Sequence, residues 1–194
     1  MRARRLAARR VRPIRGQRRR ARPAGTRRQY PSEPGPAPRA GRLVTEDRAG
    51  PQQNVVITGG TQGLGFGYAR EFLRRGHNVA ISGRTQATVD AAVARLAAEA
   101  PAGTRAIGLA CDAASMAEVQ ALWDRAAGEF GRVDIWLNNA GYARSGTRFI
   151  DTTPSQIESM VRANVIGSMN AAQVAIAGMQ RQGGGKLYLT LGGG

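Results

Sequence analysis

The residues best suited to chemistry fall in four short stretches and one isolated position. The first stretch is Thr58-Gly59-Gly60-Thr61-Gln62-Gly63-Leu64-Gly65, a glycine-patterned turn between an apolar strand and a helix. Where glycine omits a side chain, backbone N–H groups can approach a pyrophosphate, and a helix N-terminus adds partial positive charge. The turn reads as a dinucleotide phosphate cradle; the competing reading is a tight strand-to-helix turn without a ligand. The second stretch, Ser82-Gly83-Arg84-Thr85, puts a cation just after the next strand. The third feature, Asp112, ends another strand and reads equally as a helix-capping or turn aspartate. The fourth is Asn138-Asn139-Ala140-Gly141, again after a strand. Asn164 stands apart, seven residues after Ile157 and three after Val161, on the apolar stripe of a helix. A buried amide there must find partners, because an unpaired one is costly.

The elements that position these residues alternate in type. Asn54-Val55-Val56-Ile57 is a β-branched run of the kind buried in a parallel sheet. Ala69, Phe72 and Leu73 form one stripe of the next helix, which ends at Gly76. Val79-Ala80-Ile81 is a second strand; Val89, Ala92, Val93, Leu96 and Ala97 then form a helical stripe with Thr85 as cap. Ala106 to Ala110 is a third strand, and Ser115-Met116-Ala117-Glu118 is a capping box opening a helix through Val119, Leu122, Trp123 and Ala126. Val133 to Leu137 is a fourth strand. A long helix starts at Thr153-Pro154 and runs to about Gln182, and Lys186 to Leu191 is a fifth strand. Strands joined by helical connections imply right-handed crossovers and a parallel sheet covered on both faces. The expected fold is α/β, a Rossmann-type doubly wound parallel sheet of about five strands. Ligands bind such sheets outside the C-terminal strand ends, where all four stretches fall.

The spacing Thr-Gly-x-x-x-Gly-x-Gly, followed by Asn-Asn-Ala-Gly, resembles the short-chain dehydrogenase/reductase family over about residues 53 to 194. The resemblance implies an oxidoreductase moving hydride between a nicotinamide cofactor and a carbonyl or alcohol substrate. It assigns cofactor binding to Thr58, Gly59, Thr61, Gln62, Gly63, Leu64, Gly65, Ser82, Arg84, Thr85, Asp112, Asn138, Asn139, Ala140 and Gly141. Asp112 would hold the adenine edge, and Asn164 would be a catalytic asparagine on a locally distorted helix, holding a water in a proton relay. NAD-specific relatives carry an acid at the position of Gly83; here a glycine stands there and Arg84 follows. A guanidinium grips a 2′-phosphate that a carboxylate would repel, so NADP(H) is favoured over NAD. A solvated arginine at a helix start is the alternative. A finer resemblance rests on Asp134-Ile135-Trp136-Leu137-Asn138-Asn139, on Val165-Ile166-Gly167-Ser168, and on a glycine in place of the usual serine. These look like the chlorophyll b reductase branch and imply a bulky carbonyl or formyl substrate.

The family's proton donor is a tyrosine with a lysine four residues later, and no Tyr-x-x-x-Lys occurs in this sequence. Lys186 is the sole lysine, and Tyr188 is followed four residues on by Gly192. Thr190 is the hydroxyl nearest the family's serine position but stands out of register. The chain is therefore expected to be a cofactor-binding piece of a longer reading frame, inactive alone, whose full-length form is a homodimer or tetramer.

Charge separates the chain into two parts. The net charge is +16 over 194 residues. Sixteen arginines against three acids lie in residues 1–50, so the remainder is nearly neutral. Residues 1–50, rich in Arg, Pro, Gly and Ala, are expected to be a disordered tail, and 51–194 one domain. The tail's Arg without Lys fits coding bias better than selected charge; the rival readings are nucleic-acid or anionic-membrane binding and organelle targeting. With one cysteine and one histidine, neither a disulfide framework nor a Cys/His metal site can be built. Cys111 is expected to be a buried, inert thiol and His77 a solvated loop residue. No apolar run is long enough to span a bilayer, so a soluble, cytoplasmic protein is expected, with organelle targeting as the alternative. Besides the oxidoreductase, two functions compete: a nucleotide-binding module without chemistry, and a nucleic-acid binder acting through its tail.

Overall fold

The structure is a computed structural model that describes residues 50–143, 146 and 148–191. The N-terminal tail and Gly192 lie outside the described residues. Its elements are β1 (Asn54–Ile57), α1 (Gly63–Arg74), β2 (Asn78–Gly83), α2 (Gln86–Ala98), β3 (Ala106–Ala110), α3 (Met116–Phe130) and β4 (Ile135–Asn138). A 3-10 turn (Phe149–Asp151) then precedes α4 (Pro154–Val161), a π-helical segment (Arg162–Ile166), α5 (Gly167–Arg181) and β5 (Lys186–Leu189). The five strands pair in parallel in the order β3-β2-β1-β4-β5. Strand order reverses between β1 and β4, which opens a crevice outside their C-terminal ends.

Both faces of the sheet are covered over β1, β2 and β4, as alternation along those strands demands, whereas the expected cover does not extend to β5, where Tyr188 and Leu189 stay exposed. Val55 and Ile57 of β1 join Ala69, Leu73, Ala92 and Leu96 in one apolar cluster beneath α1 and α2. Val56, between them, points the other way, into a cluster with Val119, Trp123, Trp136, Ala171 and Val174 beneath α3 and α5. Each fully buried Val or Ile contributes about 1.5–3 kcal/mol of transfer energy, so this period-two pattern holds the register. The Trp123 and Trp136 rings stack 6.0 Å apart. Gly178 lets α5 approach them, since a Cβ there would stand 2.2 Å from the Trp123 ring.

Several sequence expectations need correction. The long helix expected from Pro154 to about Gln182 is interrupted by five π-helical residues, Arg162–Ile166, a distortion at Asn164 that the family resemblance implied and periodicity did not. Its start holds: Thr153 and Gln156 form a reciprocal capping box with Pro154 at the first position. The box expected at Ser115 is only half formed. Ser115 Oγ accepts from Glu118 N, whereas Glu118 Oε2 accepts from Asp112 N instead of returning to Ser115. β4 starts at Ile135 because the Asp134 side chain, not a ladder partner, accepts from Asn54 N. β5 ends at Leu189, short of Leu191. His77 is half-buried, its Nδ1 accepting from Gln53 N at 3.1 Å, and burial, then Arg75, hold its pKa below the ordinary value. Cys111 is buried, and that burial pushes its thiol up to about 12. Among the described residues no helix is long and apolar enough to cross a membrane.

Candidate functional site

The glycine turn sits in the crevice and is braced from 80 residues away. Thr58, fully buried at the end of β1, is the hub. Its Oγ1 accepts from Asn139 N at 3.0 Å and Ala140 N at 2.9 Å, while its proton faces Asn138 Oδ1 at 3.4 Å. In return Asn139 Nδ2 donates to the carbonyls of Thr58 and Gly59, both at 3.2 Å. Asn138 Nδ2 donates to Ser168 O at 2.8 Å, tying β4 to α5. The Asn138–Gly141 stretch thus serves first to lock the turn onto the neighbouring strand.

Two glycines in the turn do different work. A Cβ at Gly65 would fall 2.3 Å from Gly59 O and 2.6 Å from Asn139 Nδ2, so no side chain fits. Gly63 opens α1 with a positive φ of 55°, and nothing lies within 4 Å of where its Cβ would stand. This open backbone faces outward with Gln62, Gly63 and Leu64 exposed, and no side chain caps α1 and no acid lies in its first turn. An uncapped helix start with unobstructed amides favours an anion, and the residues present fit a dinucleotide diphosphate. Thr61 lies inward, beside Gly83, where a Cβ would stand 2.5 Å from the Thr61 methyl.

The neighbouring strand ends supply charge. Ser82 is buried and its carbonyl accepts from Gly60 N. Arg84 is exposed and, among the described residues, forms no ion pair. Thr85 caps α2, its hydroxyl accepting from Thr88 N, so that side chain is engaged within its own helix. Asp112 is engaged at both oxygens: Oδ1 accepts from Ala114 N at 2.9 Å and Oδ2 from Arg162 Nη2 at 3.1 Å. The Ala114 amide, and after it Arg162, hold its carboxyl below the usual range against partial burial; Arg84 adds to this at longer range.

Asn164 lies in the middle of the π segment. It closes two bonds on one residue: Oδ1 accepts from Tyr142 N at 2.7 Å and Nδ2 donates to Tyr142 O at 2.8 Å. The expected buried amide is in fact exposed, as are Val161, Val165 and Ile166 around it. Periodicity identified a face that calls for cover, but no described element covers it. Lys186 opens β5, and Tyr188 is exposed within it. Thr190 donates its backbone N–H to Asn138 O. Sequence reasoning missed Arg162, whose contact with Asp112 spans 50 positions and has no local signature.

Comparison with known proteins bears on the family and the fold. The model for short chain dehydrogenases matches residues 53–189. The chloroplastic chlorophyll(ide) b reductase of Oryza sativa subsp. japonica is 36% identical over 147 residues, covering 74% of this chain and 42% of that protein. The 3alpha-hydroxysteroid dehydrogenase of Mediterraneibacter gnavus is 36% identical over 136 residues, covering 70% and 54%. A solved short chain dehydrogenase from Burkholderia cenocepacia J2315, in complex with NADP, superposes with a TM-score of 0.57 at 33% identity, covering 65% of this chain and 50% of that one. The chain spans about half or less of the length of the curated relatives it matches.

Proposed function

The chain belongs to the short chain dehydrogenase family, and from that premise we propose that it is the NADP(H)-binding part of a carbonyl or alcohol oxidoreductase. The observation that carries this reading is the Thr58–Gly65 turn: an uncapped helix start, open at Gly63 and locked by Thr58 and Asn139. A bound nicotinamide nucleotide supplies the hydride. The amides of Gly63 and Leu64 take the diphosphate, and Asp112 faces the adenine edge. Arg84 takes the 2′-phosphate; its exposure and lack of an ion pair among the described residues support this role. Asn164, fixed on Tyr142, orients the water of a proton relay.

Titration of the chain with NADPH and NADH tests the assignment. Charge-assisted bonds to a phosphate are worth about 1.5–3 kcal/mol, so NADPH should bind at least roughly tenfold more tightly. Arg84→Gln should erase that preference. Equal affinities would remove Arg84's role, and a folded chain that binds neither nucleotide would end the whole reading.

A second reading, a nucleotide-binding module without chemistry, is favoured by one observation: the sequence holds no Tyr-x-x-x-Lys. The reading frame past residue 194 separates the two: a Tyr-x-x-x-Lys encoded within about 20 residues favours the oxidoreductase. The exposed Ile157, Val161, Val165 and Met169 support self-association of the whole protein. The chloroplast location of the rice relative supports organelle targeting through residues 1–50; a fluorescent protein carrying them should then leave the cytoplasm.

A further inference from the structure

A π turn is an insertion into the helical ladder and persists where outside contacts hold it. Arg162–Ile166 is held from two sides by loops that belong to different strands. On one side Asn164 bonds both backbone groups of Tyr142, in the loop after β4. On the other, the turn after β3 makes three contacts, one with the π segment itself and two with the first turn of α5. Arg162 Nη2 donates to Asp112 Oδ2 at 3.1 Å, and Asn170 Nδ2 donates to Ala113 O at 3.2 Å. Gly167 gives Ala113 its space, a Cβ there standing 3.0 Å from the Ala113 methyl.

The turn that receives Arg162 is itself fixed. Asp112 Oδ1 accepts from Ala114 N, the Asp112 amide donates to Glu118 Oε2, and Ser115 N donates to Asp112 O. Arg162 therefore grips a prepared acceptor, two positions before Asn164 in the distorted stretch. Of the three contacts, the ion pair is the one that reaches the π segment itself, and it can be removed without altering backbone packing.

We propose that Arg162 is a positioning residue: its bridge to Asp112 seats the π segment and connects the turn after β3 to the carboxamide of Asn164. The connection to nucleotide rests on the reading above, in which Asp112 faces the adenine edge; the seating does not. Filling that end of the cleft bears on Asp112, and Arg162 carries the displacement to Asn164. The two side chains are about half exposed, at 56% and 50%, so the effect is modest. An exposed ion pair changes an equilibrium by roughly two- to fivefold.

The test uses the full chain, labelled with nitrogen-15, in wild-type, Arg162→Met and Arg162→Lys forms. Without nucleotide, Arg162→Met should shift the Asn164 side-chain NH2 pair and the Tyr142 amide and speed their exchange roughly two- to fivefold. The urea midpoint should fall by no more than about 0.5 M, and Arg162→Lys should restore part of the protection. Unchanged Asn164 and Tyr142 signals in Arg162→Met overturn the seating. With NADPH, the wild-type Asn164 signal should move, and its movement should shrink in Arg162→Met. Equal movement in both overturns the connection. A wild-type chain whose Gly63 amide ignores NADPH overturns the nucleotide reading and the connection with it, while the nucleotide-free arm still decides the seating.

Discussion

Replacing Thr58 by valine keeps the shape of the side chain and removes a single oxygen. That oxygen accepts from two backbone donors, Asn139 N at 3.0 Å and Ala140 N at 2.9 Å, inside a residue with no exposed surface. An orphaned buried donor costs about 1–3 kcal/mol, and two sharing one acceptor do not add fully. Asn139 and Ala140 are themselves only half-buried, which lets water recover part of the loss. The working value for Thr58→Val is about 2–4 kcal/mol. Thr58→Ser keeps the oxygen and drops one buried methyl, worth about 1 kcal/mol. With an unfolding slope of about 1–3 kcal/mol per molar urea, the valine variant's midpoint should fall by on the order of 1–2 M. Tryptophan fluorescence reports it, because Trp123 and Trp136 are both buried. NADPH binding should weaken in the valine variant and survive in the serine one. Valine and serine variants that unfold within about 0.5 kcal/mol of each other would refute the assignment of Thr58 as hydrogen-bond hub.

Two glycines two positions apart should respond to alanine with opposite signs. At Gly65 the new methyl meets backbone and amide at 2.3 and 2.6 Å, so overpacking of roughly 1–3 kcal/mol or more outweighs the gain of about 1 kcal/mol in helix propensity. At Gly67 nothing lies within 4 Å, so Gly67→Ala should stabilise by about 0.5–1 kcal/mol. Urea midpoints that move the same way in both would contradict the packing argument. The third expectation concerns acid. Burial and then Arg75 hold His77 below its ordinary 6.5, with Asp134 opposing. The unfolded chain therefore takes up the proton first, so the stability from neutral His77 is complete above about pH 6.5 and is lost as pH falls through the folded value. Urea midpoints between pH 7.5 and 5 should decline in the wild type and decline less in His77→Gln; parallel slopes would assign the effect to other groups.

How much of this was legible in the sequence depends on how far apart the cooperating residues lie. β1 and β3 were readable because Val55, Val56, Ile57 and Ile107 make short apolar runs bounded by turn residues. The caps at Thr85, Ser115 and Thr153 were readable because their partners lie three residues away. Glu118 went astray for the same reason in reverse: its carboxylate found the Asp112 amide, six positions back, which the capping rule does not weigh. The π segment left no trace in periodicity, since an inserted residue shifts the phase of a stripe whose members are hydrophobic in either register. Periodicity places Asn164 on a buried face because stripes identify surfaces that want a partner, not whether one is present. The cleft itself was legible as a set of strand ends, but Thr58's grip on Asn139 and Arg162's on Asp112 are products of topology alone.

The brace across the sheet also sets an order of assembly. β1, α1, β2, α2 and β3 can pair through connections of modest length, whereas β1 meets β4 only after some 80 intervening residues have been ordered. A nascent chain that has emerged as far as Phe130 owns the glycine turn without its lock. On the proposed function, nucleotide capture during synthesis waits for the second half of the sheet, and the cleft matures late.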